Sequence, residues 1–223
     1  MAQNLGRINR PSTEQFQGKR KLLLVPLMYA PHLDAAEGEV ILNRYWEQAQ
    51  IQIQALQSRL GGLHHIYHES LIEGGAPGLA YLQQSDQRSH QFIQSQCQTG
   101  TALEATESVE YLAEVLDLQR CLMQPFTGDS VPNRLQEWFN ESNRNRYAHI
   151  AQRIDETLQA DETGLLLITE RHQVQFPPDI EVFYVSPPAL DEFRRWVQNW
   201  IARQQRATAA PTNPEADPAD TSG

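Results

Sequence analysis

"LLLVPLMY", residues 22–29, is the stretch whose reading decides the fold. Eight residues pass almost without a polar side chain, as in a strand covered on both faces of a parallel sheet. Lys19-Arg20-Lys21 just ahead of it imitates the start of a signal peptide. The run lies far from the amino terminus, is short and contains Pro26, so a buried strand is the better reading. The next segment, Glu37 to Leu60, places Leu42, Trp46, Ala49, Ile53, Leu56 and Leu60 in steps of four and three, one stripe of a helix. Gly61-Gly62 supplies the stop. Leu63 to Glu69 then reads as a second strand. Strand, long helix, strand is the signature of a right-handed βαβ unit with parallel strands.

The pattern continues through a mostly helical middle. Gly78–Gln84 and Arg88–Cys97 read as short helices, Thr101–Glu104 as a short strand, and Ser108–Leu122 as a helix with Glu110 in its first turn, where the dipole favours an acid. Pro125 and Pro132 bracket a loop. Leu135–Leu158 carries Trp138, Phe139, Tyr147, Ile150 and Ile154 at helical spacing, with a break expected between Asn140 and Asn145. Leu165–Ile168 and Ile180–Val185 are strand-like. Ser186-Pro187-Pro188 opens a last helix reaching about Gln205, with Leu190, Phe193, Val197, Trp200 and Ile201 on its apolar side. The fold class expected is α/β: a single domain with a mostly parallel sheet flanked by helices and a helical middle section. Residues 1–19 read as a flexible arm, 20–206 as the domain, and the Pro-rich 207–223 as a disordered tail.

Composition narrows the function classes. The chain has 223 residues, 40% of them apolar, enough for one substantial core. A formal charge of −10 argues against nucleic acid and anionic membranes as partners. Nearly all the positive charge is arginine, since Lys19 and Lys21 are the only lysines. No apolar stretch reaches the roughly 20 residues of a membrane span. Cys97 and Cys121 lie in separate helices with no CxxC pair, as expected of reduced thiols in a cytoplasmic protein.

In a parallel α/β sheet, ligands bind beyond the carboxyl ends of the strands. The first strand ends at Ala30-Pro31-His32-Leu33-Asp34, the second at His68-Glu69, and the strand at 165–168 at Glu170-Arg171-His172. If the three run parallel, imidazole, carboxylate and guanidinium groups gather on one edge, the mixture a hydrolytic or metal site needs. The bland alternative is that strand ends are loops, Glu69 caps the next segment, and Arg171 pairs with Glu170 or Asp179. His64-His65-Ile66-Tyr67-His68-Glu69 is neither HExxH nor HxxEH. On a strand His64 and His68 share one face while His65 and Glu69 share the other, so a single local zinc site is not expected. Glu104 and Glu107 look like a carboxylate pair, though a helix N-terminus accounts for Glu107. No GxGxxG, GxxxxGK[ST] or GxSxG occurs.

The order of these features resembles the TraB/PrgY/Tiki/ChaN superfamily over about residues 22–185. YAPH places His32 at the first motif and YHESL places Glu69 at the end of the second strand. RYAHIAQRI aligns Arg146, Ile150, Ala151 and Ile154 with the family's arginine helix, and TERH places His172 at the late motif. Tyr29 stands where that family has glycine, Tyr147 where it has Asp or Asn, and Thr169-Glu170-Arg171 where it has Gly-x-Gly. The resemblance implies a peptidase- or esterase-like hydrolase. His32, Glu69 and His172 would hold a divalent metal ion (zinc, manganese or cobalt), with Glu69 as the alternative base. Arg146 and Arg171 would bind a substrate carboxylate or the oxyanion. The lost glycines favour the other reading: a non-catalytic binding or scaffold protein on the same fold, taking a ligand or haem. Expected partners are a small molecule or peptide and a second copy in a homo-oligomer. The tryptophans Trp196 and Trp200 offer a docking face if they are not core.

Overall fold

Each apolar run of the sequence becomes a strand of one sheet in the computed structural model, which describes residues 16–29 and 35–209. The elements in chain order are β1 (Arg20–Leu27), α1 (Ala35–Leu60), β2 (His65–His68), α2 (Gly75–Ser85), α3 (Gln87–Cys97) and β3 (Ala102–Leu103). There follow α4 (Val109–Leu122), α5 (Ser130–Thr157), β4 (Thr163–Thr169), β5 (Ile180–Tyr184) and α6 (Pro188–Ala209). The strands lie in the order β3-β2-β4-β1-β5, and every pairing among them is parallel. The expected α/β class with a helical middle section is therefore the observed one. The β1–α1–β2 unit is present too, but its strands are not neighbours, because β4 is inserted between them.

Alternation along the strands divides the core. Leu23, Val25, Ile66, Leu165 and Leu167 face α1 and α6, where Tyr45, Trp46, Ile53, Leu190 and Phe193 meet them. Leu22, Leu24, Tyr67, Leu166 and Ile168 face the other way, onto Ile150 and Ile154 of α5. No helix joins β4 to β5; residues 170–179 cross this second face instead, with Val174 and Phe176 packed into it.

Pro26 sits in a central strand, where a proline would ordinarily break a ladder. Here the Val185 N–H donates to the Leu24 carbonyl at 2.9 Å, at the end of the β1–β5 ladder. Residues two apart on a strand face the same neighbour, so Pro26 looks past that end and removes no needed donor. Its carbonyl accepts from the buried Tyr45 hydroxyl at 2.5 Å.

Several expectations are corrected. No break interrupts α5 between Asn140 and Asn145. Pro132 belongs to its first turn, where the N–H it lacks would have no helical partner anyway. Residues 16–19, expected in the arm, make contacts: Phe16 meets Phe183 edge-on at 5.2 Å, and the Gly18 N–H donates to Asp161 at 2.6 Å. Trp196 is buried rather than presented to a partner; its ring lies on Gly38 of α1, and its Nε1 donates to Glu37 at 3.1 Å. Among the described residues no helix is long and apolar enough to cross a membrane.

Candidate functional site

The parallel register brings the carboxyl ends of β1, β2 and β4 to one edge, with Leu27 opposite Thr169 and His68 opposite Leu167. Glu69 follows directly on β2 and is anchored by its own N–H to the Leu167 carbonyl at 3.0 Å. From the far side α5 delivers Arg146. Ile150 and Ile154, four and eight positions on, are buried against the sheet, so the same helical face turns Arg146 toward this edge.

Arg146 meets two acids there. Its Nε donates to Glu107 Oε1 at 2.8 Å, and its Nη2 contacts the same oxygen. Nη2 also donates to the Glu69 carbonyl at 3.0 Å and lies 3.7 Å from Glu69 Oε2. The Tyr147 ring centroid lies 5.5 Å from the guanidinium carbon. The Glu107 side chain is 0% exposed, whereas Glu69 keeps 10%, so only Glu69 can meet a molecule from outside. Glu107 is held by the turn before α4, its N–H donating to the Leu71 carbonyl at 2.8 Å.

Two carboxyls around one guanidinium leave the cluster one negative charge in excess if both ionise. Burial pushes Glu69 above the ordinary carboxylate range, against the Thr169 amide and the Arg146 charge. Burial pushes Glu107 up as well, against its bonds to Arg146. Burial alone would lower the pKa of Arg146, but Glu107 and Glu69 hold it above its usual value. Glu69, with the longer contact to the guanidinium, is the member that takes up a proton most readily.

The remaining expected residues part company. Glu170, Arg171 and His172 are consecutive yet go three ways. Glu170 pairs with Arg194 of α6. Asp179 pairs with Arg20 at 2.7 Å. Arg171 therefore takes neither partner that its sequence neighbourhood offered. It lines a cleft with Arg144 and Tyr147 of α5. The His172 Nδ1 accepts the Val174 N–H at 3.3 Å, and its ring meets Phe176 edge-on at 6.1 Å. Burial lowers its pKa. His32 lies outside the described residues. Among the described residues no three His, Cys, Asp or Glu side chains converge as a metal would require. His172 and Glu69, each engaged with protein partners, do not make a ligand set by themselves.

The imidazoles of the His-rich strand also separate. His64 Nδ1 accepts from the Thr163 N–H at 3.1 Å. His65 is bracketed by Glu104 at 2.8 Å and Glu162 at 3.2 Å. Glu104 and Glu107 are thus not a pair. His68 is buried; its Nδ1 accepts from the Ser70 N–H at 3.2 Å, which puts its proton on Nε2, 3.9 Å from Asp86. That distance is electrostatic contact rather than a hydrogen bond. Burial works against ionised Asp86, but His68 and Ser89 together hold it down to about 2. The direct bonds come from the Ser89 N–H at 3.2 Å and hydroxyl at 2.6 Å.

Arg144 and Asp86 were not legible as site residues, and along the chain Glu107 reads beside Glu104 or as a helix-start acid rather than with Arg146. Arg146 and Glu107 are 39 positions apart, and no local pattern links them. No protein-family model matches the chain, and neither does any curated protein or solved structure compared with it.

Proposed function

We propose that this chain is a TraB/ChaN-like hydrolase, peptidase- or esterase-like, working at the carboxyl edge of its sheet with Glu69 as the proton-transfer group. The observation that carries this reading is the pair of buried carboxyls sharing Arg146, with Glu69 alone reaching solvent. A carboxyl raised above its ordinary range by burial is closer to the operating pH of a general base. Ionised Glu69 takes a proton from water as the water oxygen bonds to the substrate carbonyl carbon. That proton then passes to the leaving oxygen or nitrogen as its bond to carbon breaks. Arg146, whose Nε and Nη2 are held by Glu107 and the Glu69 carbonyl, is a positioning residue in this scheme. Arg171 has no such partner among the described residues and is the guanidinium available to substrate. A divalent ion, with His32, Glu69 and His172 as its ligands, would lower the pKa of the attacking water; the steps above use protein groups only.

The test is turnover of p-nitrophenyl esters and chromogenic peptides by wild type and Glu69→Gln, each with chelator and with added manganese or zinc. A loss of about 100-fold or more is expected for the variant. Equal rates for the two proteins, or no turnover by wild type in any arm, would end this reading.

The second reading is a non-catalytic binding protein on the same fold. What favours it is that the Nε and Nη2 donors of Arg146 are spent on protein acceptors, as in a strut joining α5 to the β2 end. Ligand binding with no turnover, unaltered by Glu69→Gln, is its expected outcome.

A further inference from the structure

Several arginines are neutralised by a carboxylate: Arg20 by Asp179, Arg44 by Glu192, Arg88 by Glu39, Arg153 by Glu156 and Arg194 by Glu170. Arg144 and Arg171 behave differently. They come from α5 and from the segment after β4, and line one cleft of 480 Å³. Neither has a hydrogen bond or ion pair with another described residue, and no Asp or Glu among the described residues lines the cleft. Arg203 and Arg206 also line one cleft, but there Glu37 stands in the wall. The other large cleft at this edge, 420 Å³, has Arg88 in its wall, but that arginine is already paired with Glu39.

We infer that this cleft binds an oxyanion, a phosphate or carboxylate group carried on a flat apolar body. Resting on the hydrolase reading above, the substrate class is an ester or peptide with such a second, anionic group. Asn140, Asn143, Arg144 and Tyr147 fall at i, i+3, i+4 and i+7, so one stripe of α5 builds the wall. Asn140 accepts from Gln136 through its Oδ1 at 3.0 Å, which leaves its amide hydrogens for a ligand oxygen. Phe139 and the buried Tyr147 supply apolar surface for a ring. Two planar guanidinium groups match the oxygens of a phosphate or carboxylate in a way that a lysine does not. The volume lies in the range of small-molecule sites. Tyr147 is also the residue on which Arg146 rests, at 5.5 Å, so an anion held in the cleft neighbours the Glu69–Arg146–Glu107 cluster.

The test is calorimetric titration of the full chain with phenylphosphonate and with benzoate, and with benzamidine as the cationic control. Saturable binding of at least one anion by wild type is expected. Arg144→Gln and Arg171→Gln should each weaken it about tenfold or more, since each removes hydrogen bonds to a charged group. Both residues are exposed, so melting temperatures should stay at the wild-type value. The tighter anion identifies the group as phosphoryl or carboxylate. Binding of neither anion, equal binding of benzamidine, or affinities untouched by both substitutions would overturn the inference. Glu69→Gln, which removes a neighbouring negative charge, should not weaken anion binding. Anion binding without any turnover would therefore sink the hydrolase reading alone, and Glu69-dependent turnover without anion binding would sink the cleft alone.

Discussion

Glu107 Oε1 accepts two N–H groups of Arg146, while its other carboxylate oxygen, wholly buried, has no hydrogen-bond partner among the described residues. The pair joins the turn before α4 to α5 and, through the Glu69 carbonyl, to the end of β2. A buried ion pair broken on one side leaves a charge without compensation.

Glu107→Ala is therefore expected to destabilise the fold by about 3–5 kcal/mol in urea unfolding. Replacing both partners by apolar residues, Glu107→Leu with Arg146→Met, should cost less than Glu107→Ala alone. A double variant as unstable as the sum of its singles would contradict the coupling.

Glu69 makes stability depend on pH in a definite direction. Its folded-state pKa is raised by burial, so the native form binds the proton more tightly than the unfolded chain. The penalty is absent below the unfolded value of about 4.3 and grows as pH rises through the folded value. Wild type should lose stability relative to Glu69→Gln as pH increases above the ordinary carboxylate range. Melting temperatures of both proteins across that range check it, and a constant difference would refute the assignment.

Asp86 works in the opposite sense. Held down to about 2, it contributes stability that is complete above the unfolded value of about 3.9 and is lost as pH falls toward 2. Asn caps a helix about as well as Asp, so Asp86→Asn isolates the charge. The variant should be less stable than wild type at pH 5, and the gap should close near pH 2.

At Gly38 the close approach leaves no room for a side chain, because an added Cβ would fall inside contact distance of three Trp196 ring atoms. Gly38→Ala must push α6 from α1 or turn the indole, at a cost of about 1–3 kcal/mol. A red-shifted tryptophan emission should accompany the loss. An unchanged melting temperature would mean that the contact between α1 and α6 yields freely.

The strands and helices were readable because burial imposes a local period. Leu22–Leu24 and Leu165–Ile168 are apolar throughout because both faces of β1 and β4 are covered, and the four-and-three steps of Leu42, Trp46 and Ile53 are one helix face. The continuity of α5 was not readable. Asn140 and Asn143 are weak helix formers by a few tenths of a kcal/mol each, but the Asn143 side chain bonds back to the Phe139 carbonyl at 3.1 Å. Packing against α4 and the sheet outweighs so small a preference.

The sequence by itself determined the class of fold and put Glu69 and Arg171 beyond strand ends, since both follow from short-range patterns of apolar and polar residues. Tertiary structure alone decided the partners. It inserted β4 between β1 and β2, gave Arg146 to Glu107, gave Glu170 to Arg194, and left Arg144 and Arg171 facing one cleft. Charge pairing depends on distance in space, and residues 24 or 39 positions apart carry no mark of it along the chain.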